Sequence, residues 1–349
     1  MRMGLELLLP PRASGLPDES VAALVERHFG MEAVERLADP LLSGIFGGDA
    51  AQLSARTVLP RLVVMESEYG SLTRGMLAAH RKMRRAAAAK KKTGGGGNAR
   101  PAARGVFTSL RGGMQELIDA LTARLDATRV RSSTAVRGLE KVEGGWKVKA
   151  GGTTEFYDAV MMASPAWVAG ELLGHVDAAL GAELGAIPYS SSITVNLVYD
   201  EARLGGLPEG FGFLVPATEG RAMLACTFAH RKFLGKTPAG KAVLRAFLGG
   251  MRNEALAAET DAGLVETVRR ELREILGVEA EPEYTQVSRW RRAMAQYAVG
   301  HQERMERIAA RVAELPGLRL AGNAYDGIGI PDCIRLGRKG AKELAALGS

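Results

Sequence analysis

Cysteine is scarce in this chain: two residues far apart, Cys226 and Cys333, are all there is in 349 positions. That excludes a disulfide framework and any metal site built on paired cysteines, and it suits free thiols in a reducing compartment. Long apolar runs are missing as well. None approaches the roughly 20 residues that a membrane span needs. The run Leu5 to Leu9 is interrupted by Glu6 and stopped by Pro10-Pro11, too short and too broken for a signal peptide. A cytoplasmic location is therefore expected. Hydrolase signatures are absent too. There is no G-x-S-x-G, and the five histidines (His28, His80, His175, His230 and His301) show no H-E-x-x-H or other ligand spacing. Each histidine is expected to pack, cap or face solvent, and no metal site is expected. Nor does the chain contain G-x-G-x-x-G, the loop that seats a dinucleotide pyrophosphate on a helix N-terminus.

Acidic residues are missing from one stretch. Between Arg81 and Arg104 lie nine basic residues and no acid: Arg81, Lys82, Arg84, Arg85, Lys90, Lys91, Lys92, Arg100 and Arg104. The net charge of +7 resides there, and the remainder is close to neutral. Gly94 to Gly97 fall inside it, so Lys90 to Arg104 reads as a flexible basic loop. The loop is either a solvated linker or a surface for anionic lipid, which makes a peripheral membrane contact through residues 81–104 one expectation. No aromatic residue is interleaved with the charges, so no nucleic-acid partner is expected.

What is present is the composition of a globular protein, 46% apolar and 24% charged, long enough for two or more structural units. Residues 17–80 read as helical. Val21, Leu24, Val25 and His28-Phe29 recur at helical spacing, Met31 to Ala38 forms a second helix that Asp39-Pro40 should break, and Leu59 to Met65 and Ser71 to Met83 follow. From Val106 the texture changes to mixed strand and helix. Strands are expected at 106–110, 130–139, 145–149 and 156–163. A helix from Met114 to about Leu125 lines up Leu117, Ile118, Leu121 and Leu125, and another runs from Pro165 through Leu173. Further strands are expected at 192–199, 211–215, 222–228, 242–248 and 284–291. Helices are expected at 264–276, stopped by Gly277, and at 302–315. No internal repeat is visible.

The most specific stretch closes the chain. Leu318 to Ala321 reads as a short buried strand, a loop with Gly322, Gly327 and Gly329 follows, and Pro331-Asp332 opens a last helix with Asp332 as its N-cap. Gly337, Gly340 and Ala341 give that helix a small-residue face. Strand, glycine loop and helix N-terminus together can receive a polar cofactor, since glycine lets the backbone come close and the first helical N–H groups carry partial positive charge. The string Gly-Asn-x-Tyr-x-Gly-x-Gly-Ile-Pro-Asp-Cys-Ile-x-x-Gly, Gly322 to Gly337, resembles the closing flavin-binding motif of the protoporphyrinogen and coproporphyrinogen oxidases, within the flavin amine oxidase-like superfamily. Other segments resemble the same family in the same order. They are Asp18-Glu-Ser-Val21 with Arg27-His-Phe-Gly30, Pro40 through Asp49 with Leu53-Ser54, Glu68-Tyr-Gly-Ser-Leu72, Phe211 through Pro216, Leu248-Gly-Gly250, and Trp290 through His301. The resemblance covers nearly all of residues 16–348. It lacks the family's opening βαβ unit, and Met1-Arg-Met3 runs straight into what resembles mid-protein sequence.

The resemblance implies an α/β (α+β) fold: an incomplete FAD-binding Rossmann-like domain, an antiparallel-sheet substrate domain and a helical domain. Its divisions are 1–105 helical and ending in the basic loop, 106–165 part of the FAD domain, 166–289 substrate-binding, and 290–349 the C-terminal FAD-binding segment. It implies FAD as cofactor, and oxidation of protoporphyrinogen IX or coproporphyrinogen III with oxygen as acceptor, in heme biosynthesis. A homodimer is among the implied assemblies. Position by position, Val136 matches the strand residue whose backbone meets the adenine, Trp290 a residue near the isoalloxazine, and Ile328, Gly329 and Ile330 the backbone beside the flavin ring. Phe211, Gly212, Leu214 and Phe247 match positions lining the porphyrinogen cavity, an apolar site suited to a macrocycle whose carboxylates lie only at its rim. An ordinary strand valine at 136, a packed tryptophan at 290 and a core phenylalanine at 247 are the competing readings. The family usually has proline where this chain has Ala295. No side chain is singled out as a catalytic acid or base. A flavin amine oxidase, and a truncated homologue unable to hold FAD, remain alternatives.

Overall fold

In the computed structural model the described residues are 6–8, 15–92 and 109–347. The N-terminal part is helical. Ser20 accepts the Ala23 N–H and so opens α1 (Val21–Phe29), and Gly30 ends it at a φ of 90°. The chain then runs as one continuous rod from Met31 through a π turn at Val34–Ala38 into α2 (Asp39–Phe46). Asp39-Pro40 therefore does not break the helix as expected. The Asp39 N–H reaches back to the Val34 carbonyl, and this wider turn just ahead of Pro40 absorbs the ring and the missing donor. Helix α3 (Pro60–Tyr69) and the long α4 (Leu72–Lys92) follow. Lys90 to Lys92 thus close a helix instead of starting a loop, and residues 93–104 of the basic stretch lie outside the described residues. Val21, Leu24, Val34, Leu42 and Leu53 form the core of this part.

A thinner region follows. The strand expected at 106–110 is not seen: 106–108 lie outside the described residues, and Ser109 and Leu110 are not in a strand. Helix α5 (Gln115–Thr122) buries no residue. Strands β1 (Val136–Val142), β2 (Gly145–Ala150) and β3 (Thr153–Tyr157) form an antiparallel sheet in that order. The strand expected from Val130 starts only at Val136, because Ala127–Arg129 forms a turn under the Asp126 cap. The strand expected over 156–163 divides. Its first part is β3, and β4 (Val160–Met162) belongs to another sheet.

The remainder holds the main core. Helices α6 (Ala166–Leu173) and α7 (Ala178–Gly185) pack with Gly170, Gly174 and Gly181 at their crossing, where a Cβ on Gly181 would lie 2.5 Å from the Gly174 Cα. Strands β5 (Tyr189–Asp200), β6 (Gly212–Leu214), β7 (Met223–Phe228), β8 (Lys241–Gly249) and β9 (Tyr284–Ala295) make one antiparallel sheet ordered β6-β7-β8-β5-β9. Strict alternation puts Ile193, Val195, Leu197 and Tyr199 of β5 and Leu244, Ala246 and Leu248 of β8 on one face. Helix α8 (Asp261–Leu276), capped by Thr260 and ended by Gly277, covers them with Leu264, Val268 and Leu272. Its buried Glu271 accepts the Ala222 and Met223 N–H groups and so fixes the start of β7. Helix α9 (His301–Ala313) is tied to α7 by Arg304 and Arg307 on Glu183 and by Arg311 on Asp177. Strand β10 (Leu318–Leu320) pairs parallel with β4, and α10 (Ile330–Ala345) closes the described chain. Among the described residues, the other edge of β10 has no strand beside it.

Candidate functional site

The site is built where β10 ends. Gly322, at φ 140°, turns the chain away from the strand, and Gly327, at φ 99°, lets it approach α10 so closely that a Cβ there would sit 2.4 Å from the Asp332 carboxyl carbon. Asp332 is not the N-cap. Gly329 takes that position and offers no side-chain acceptor, while Asp332 sits in the first turn and accepts from Arg335 at 3.3 Å. The start of α10 is therefore uncapped. Among the described residues the N–H groups of Ile328, Gly329 and Ile330 donate to no protein oxygen, so three consecutive donors stand at the positive end of a sixteen-residue helix. Of the small-residue face, Gly340 alone is closely packed, against Met161 and Arg319, whereas a Cβ at Gly337 would meet nothing within 4 Å.

The loop is held in this shape from below. The Tyr297 hydroxyl donates to the Asn323 carbonyl (2.8 Å) and accepts the Gly327 N–H (3.0 Å). Burial pushes the Tyr297 phenol up, which keeps it a donor. The His301 ring stacks on it at 4.4 Å, and burial lowers the imidazole below its ordinary value, so the stack is neutral. The Asn323 amide donates to the Ala293 carbonyl at 3.1 Å and thereby ties the loop to β9. Beside the loop, the Ser164 and Tyr325 hydroxyls are buried without a hydrogen-bond partner, with the Tyr325 ring and the Ser164 carbonyl lying next to Gly322. Uncapped amides, orphaned hydroxyls and a glycine cradle fit one end of a large polar cofactor.

The second component is the sheet face opposite α8. Antiparallel partners point the same way, so the register defines rows across the sheet. Leu214, Ala225, Phe247, Thr194 and Ser288 form one such row, and Trp290 stands opposite Ser192 in the next. Leu214, Phe247 and Trp290 thus share the face away from the core, and Trp290 is 58% exposed, not packed inside. Phe247 is likewise outside the core cluster. Gly212 opens β6 at φ 140°, and a Cβ on it would lie 2.1 Å from the Cys226 carbonyl. Phe211, just before it, is exposed and accepts the Phe228 N–H through its carbonyl. A bulge after Trp290 places Arg292 at φ 45°, with its guanidinium over the Trp167 ring at 4.4 Å. Ala295 ends β9 opposite Tyr189. Val136 stands apart at the start of β1, on a different sheet from that of β10.

The structure therefore brings the glycine loop and β9 together through Tyr297 and Asn323, and gathers Leu214, Phe247 and Trp290 on one sheet face. Sequence reasoning gave no role to Tyr297, Asn323, Ser164 or Tyr325. Tyr297, Asn323 and Tyr325 fall inside the motifs quoted above, which is the available signal, and Ser164 lies in none of them. The thiols are free: burial pushes Cys226 up to about 12, which leaves it inert. No metal-binding group of His, Cys, Asp and Glu is found among the described residues, and no helix there is long and apolar enough to cross a membrane.

Residues 2–345 match the family described as flavin containing amine oxidoreductase. Among curated proteins, the chain is 34% identical to a coproporphyrinogen III oxidase of Propionibacterium freudenreichii, covering 99% of this chain and 67% of that protein. It is 32% identical to human protoporphyrinogen oxidase, covering 97% of this chain and 71% of that protein. Among solved structures, a candidate protoporphyrinogen oxidase from Exiguobacterium sp. 255-15 superposes with a TM-score of 0.79 at 31% identity, covering 99% of this chain and 70% of that one. The chain thus spans about 70% of the length of the relatives it matches.

Proposed function

The chain belongs to the flavin-containing amine oxidoreductase family, and on that premise we propose that it is a porphyrinogen oxidase of heme biosynthesis, acting on coproporphyrinogen III or protoporphyrinogen IX with oxygen as the final acceptor. The observation that carries the reading is the uncapped α10 end, with free N–H groups at Ile328, Gly329 and Ile330. The apolar sheet face of Leu214, Phe247 and Trp290 supports it, as do the names of the relatives above. Bound FAD would supply hydride acceptance. Ile328, Gly329 and Ile330 would hold its ring by backbone donation, and the helix end favours negative charge there. Phe211, Gly212, Leu214 and Phe247 would seat the macrocycle, Trp290 would pack beside the ring, and Val136 would meet the adenine. No side chain need move a proton in a positioned role. Proximity and cofactor electronics carry the reaction.

In this reading residues 1–105 form the helical cap, 106–165 and 290–349 the cofactor side and 166–289 the substrate side. Helix α4 offers a peripheral membrane contact, since Arg81, Lys82, Arg84 and Arg85 are all exposed beside Met83, itself 65% exposed. Salt-sensitive binding to anionic vesicles is expected, and equal binding to neutral vesicles would count against that contact.

The deciding experiment adds FAD to the purified chain, measures bound flavin absorbance, and then offers coproporphyrinogen III, protoporphyrinogen IX and a primary amine in turn. Flavin binding with porphyrin fluorescence from one of the first two is expected. Turnover of the amine alone, or no flavin binding with no porphyrin formed, overturns the proposal.

A further inference from the structure

The sheet face that carries Phe247 is not uniformly apolar. One row further along, Gly212, Thr227, Arg245, Asn196 and Gln286 stand opposite one another across all five strands. Arg245 is therefore on the same face as Phe247, two residues along β8, a spacing of about 7 Å. Its Nε donates to the Asn196 Oδ1 at 2.8 Å. A guanidinium carries five N–H donors, and this bond uses one of them. Among the described residues no aspartate or glutamate pairs with Arg245. Three arginines of this part of the chain do pair with acids, Arg221 with Glu274, Arg252 with Asp39 and Asp49, and Arg289 with Asp261, whereas Arg231 and Arg291 bond backbone carbonyls. Arg245 is half-buried, and its terminal nitrogens are not among the fully buried donors that lack a partner, so they stay open to an incoming anion.

The face thus runs from apolar at Leu214, Phe247 and Trp290 to polar with one free cation at Arg245. A flat apolar ring lying on Phe247 would place its rim at Arg245. We propose that Arg245 receives a carboxylate of the porphyrinogen and that Asn196 positions its guanidinium; this deepens the proposed function and rests on it. The carboxylate takes two N–H donors from the terminal nitrogens, and the Asn196 bond to Nε fixes the plane of the fork. Alternation along β8 was the sequence signal, since Arg245 and Phe247 lie two residues apart within one strand.

The test uses the full chain and oxidised coproporphyrin III, which has four propionates, beside its uncharged tetramethyl ester in the same detergent. Binding is followed by the shift of the porphyrin absorption band. For Arg245→Gln the acid should bind about tenfold more weakly while the ester is unchanged, as expected for loss of a charge-assisted pair. Arg245→Lys should fall between, because it keeps the charge without the fork. Asn196→Asp should also weaken the acid selectively, since it supplies an internal carboxylate that occupies the guanidinium. Acid binding unchanged in Arg245→Gln overturns this inference and leaves the porphyrinogen reading standing. Should Arg245→Gln lose both ligands, Asn196→Asp decides: selective loss of the acid supports the assignment, and equal loss overturns it. A wild-type chain that binds neither ligand overturns the proposed function and this inference with it.

Discussion

The two sheets that flank the site are built to different standards. The five-stranded sheet has a complete partner in α8, and Ile193, Val195, Leu197, Leu244 and Leu272 are all fully covered. The β4–β10 pair is three residues long on each side and, among the described residues, has one edge of β10 open, and in the region that precedes it α5 leaves Ile118 and Leu121 53% and 52% exposed. The first sheet stabilises itself by apolar burial. The second region has the amphipathic pattern of a packed element without the cover. The proposed cofactor end therefore sits on the less supported half of the molecule, and the proposed substrate face on the better supported half.

Substitutions can break or sharpen this contrast. Leu197→Ala should cost about 3 kcal/mol by urea unfolding, the usual range for a buried leucine, whereas Leu121→Ala should stay within about 0.5 kcal/mol. A comparable loss for Leu121 would mean that its face is covered, and the contrast would fail. Glu271→Ala should cost about 2 kcal/mol, because it leaves the buried Met223 N–H and the half-buried Ala222 N–H without their charged acceptor at the start of β7. Gly327→Ala should cost about 1–2 kcal/mol, from the positive φ and the collision with Asp332, and should weaken flavin binding. Gly337→Ala, in open space on the same helix, should gain up to about 1 kcal/mol and leave flavin binding alone.

The smallest effect is one of pH and lies in the helical part, where Glu6 is buried against α4. Burial acts to raise its carboxyl, and hydrogen bonds from Ser71, Thr73, His28 and the Leu72 N–H outweigh that and hold it at about 2 against an ordinary 4.5. A depressed folded-state value means that this stabilisation is complete above 4.5 and is lost as pH falls towards about 2. Urea midpoints measured across that window should fall more steeply for the wild type than for Glu6→Gln.

Elements whose pattern is local were legible before the fold was known. The alternation in β5, β7 and β8 and the amphipathic run of α8 place those segments within a few residues, because one face of each meets a single continuous core. Segments that depend on distant partners were not. Residues 156–163 looked like one strand, yet Phe156 pairs with Lys147 of the adjacent hairpin and Val160 with Leu318, far along the chain. Asp332 looked like a cap because acids favour helix starts, but the glycine loop delivers the chain to Gly329 and leaves Asp332 in the first turn. At the site, Ile328 to Ile330 were readable through resemblance. Ser164 lies outside every motif, and for Tyr325, which is inside one, only the folded chain shows that its hydroxyl lacks a partner.

The π turn at Val34–Ala38 works as a phase shifter. It adds a residue without adding a helical turn, so every later side chain on the rod is advanced by about 100°. That offset is what buries Asp39, Leu42 and Ser43 and sends Leu41 and Ile45 outward. It also aims Asp39 at Arg252, whose guanidinium it meets at 2.5 and 3.0 Å just beyond the end of β8. Deleting one residue from the turn would restore a regular α-helix and rotate that carboxylate away, so the wound-in extra residue serves as the gear that keeps the helical part meshed with the sheet.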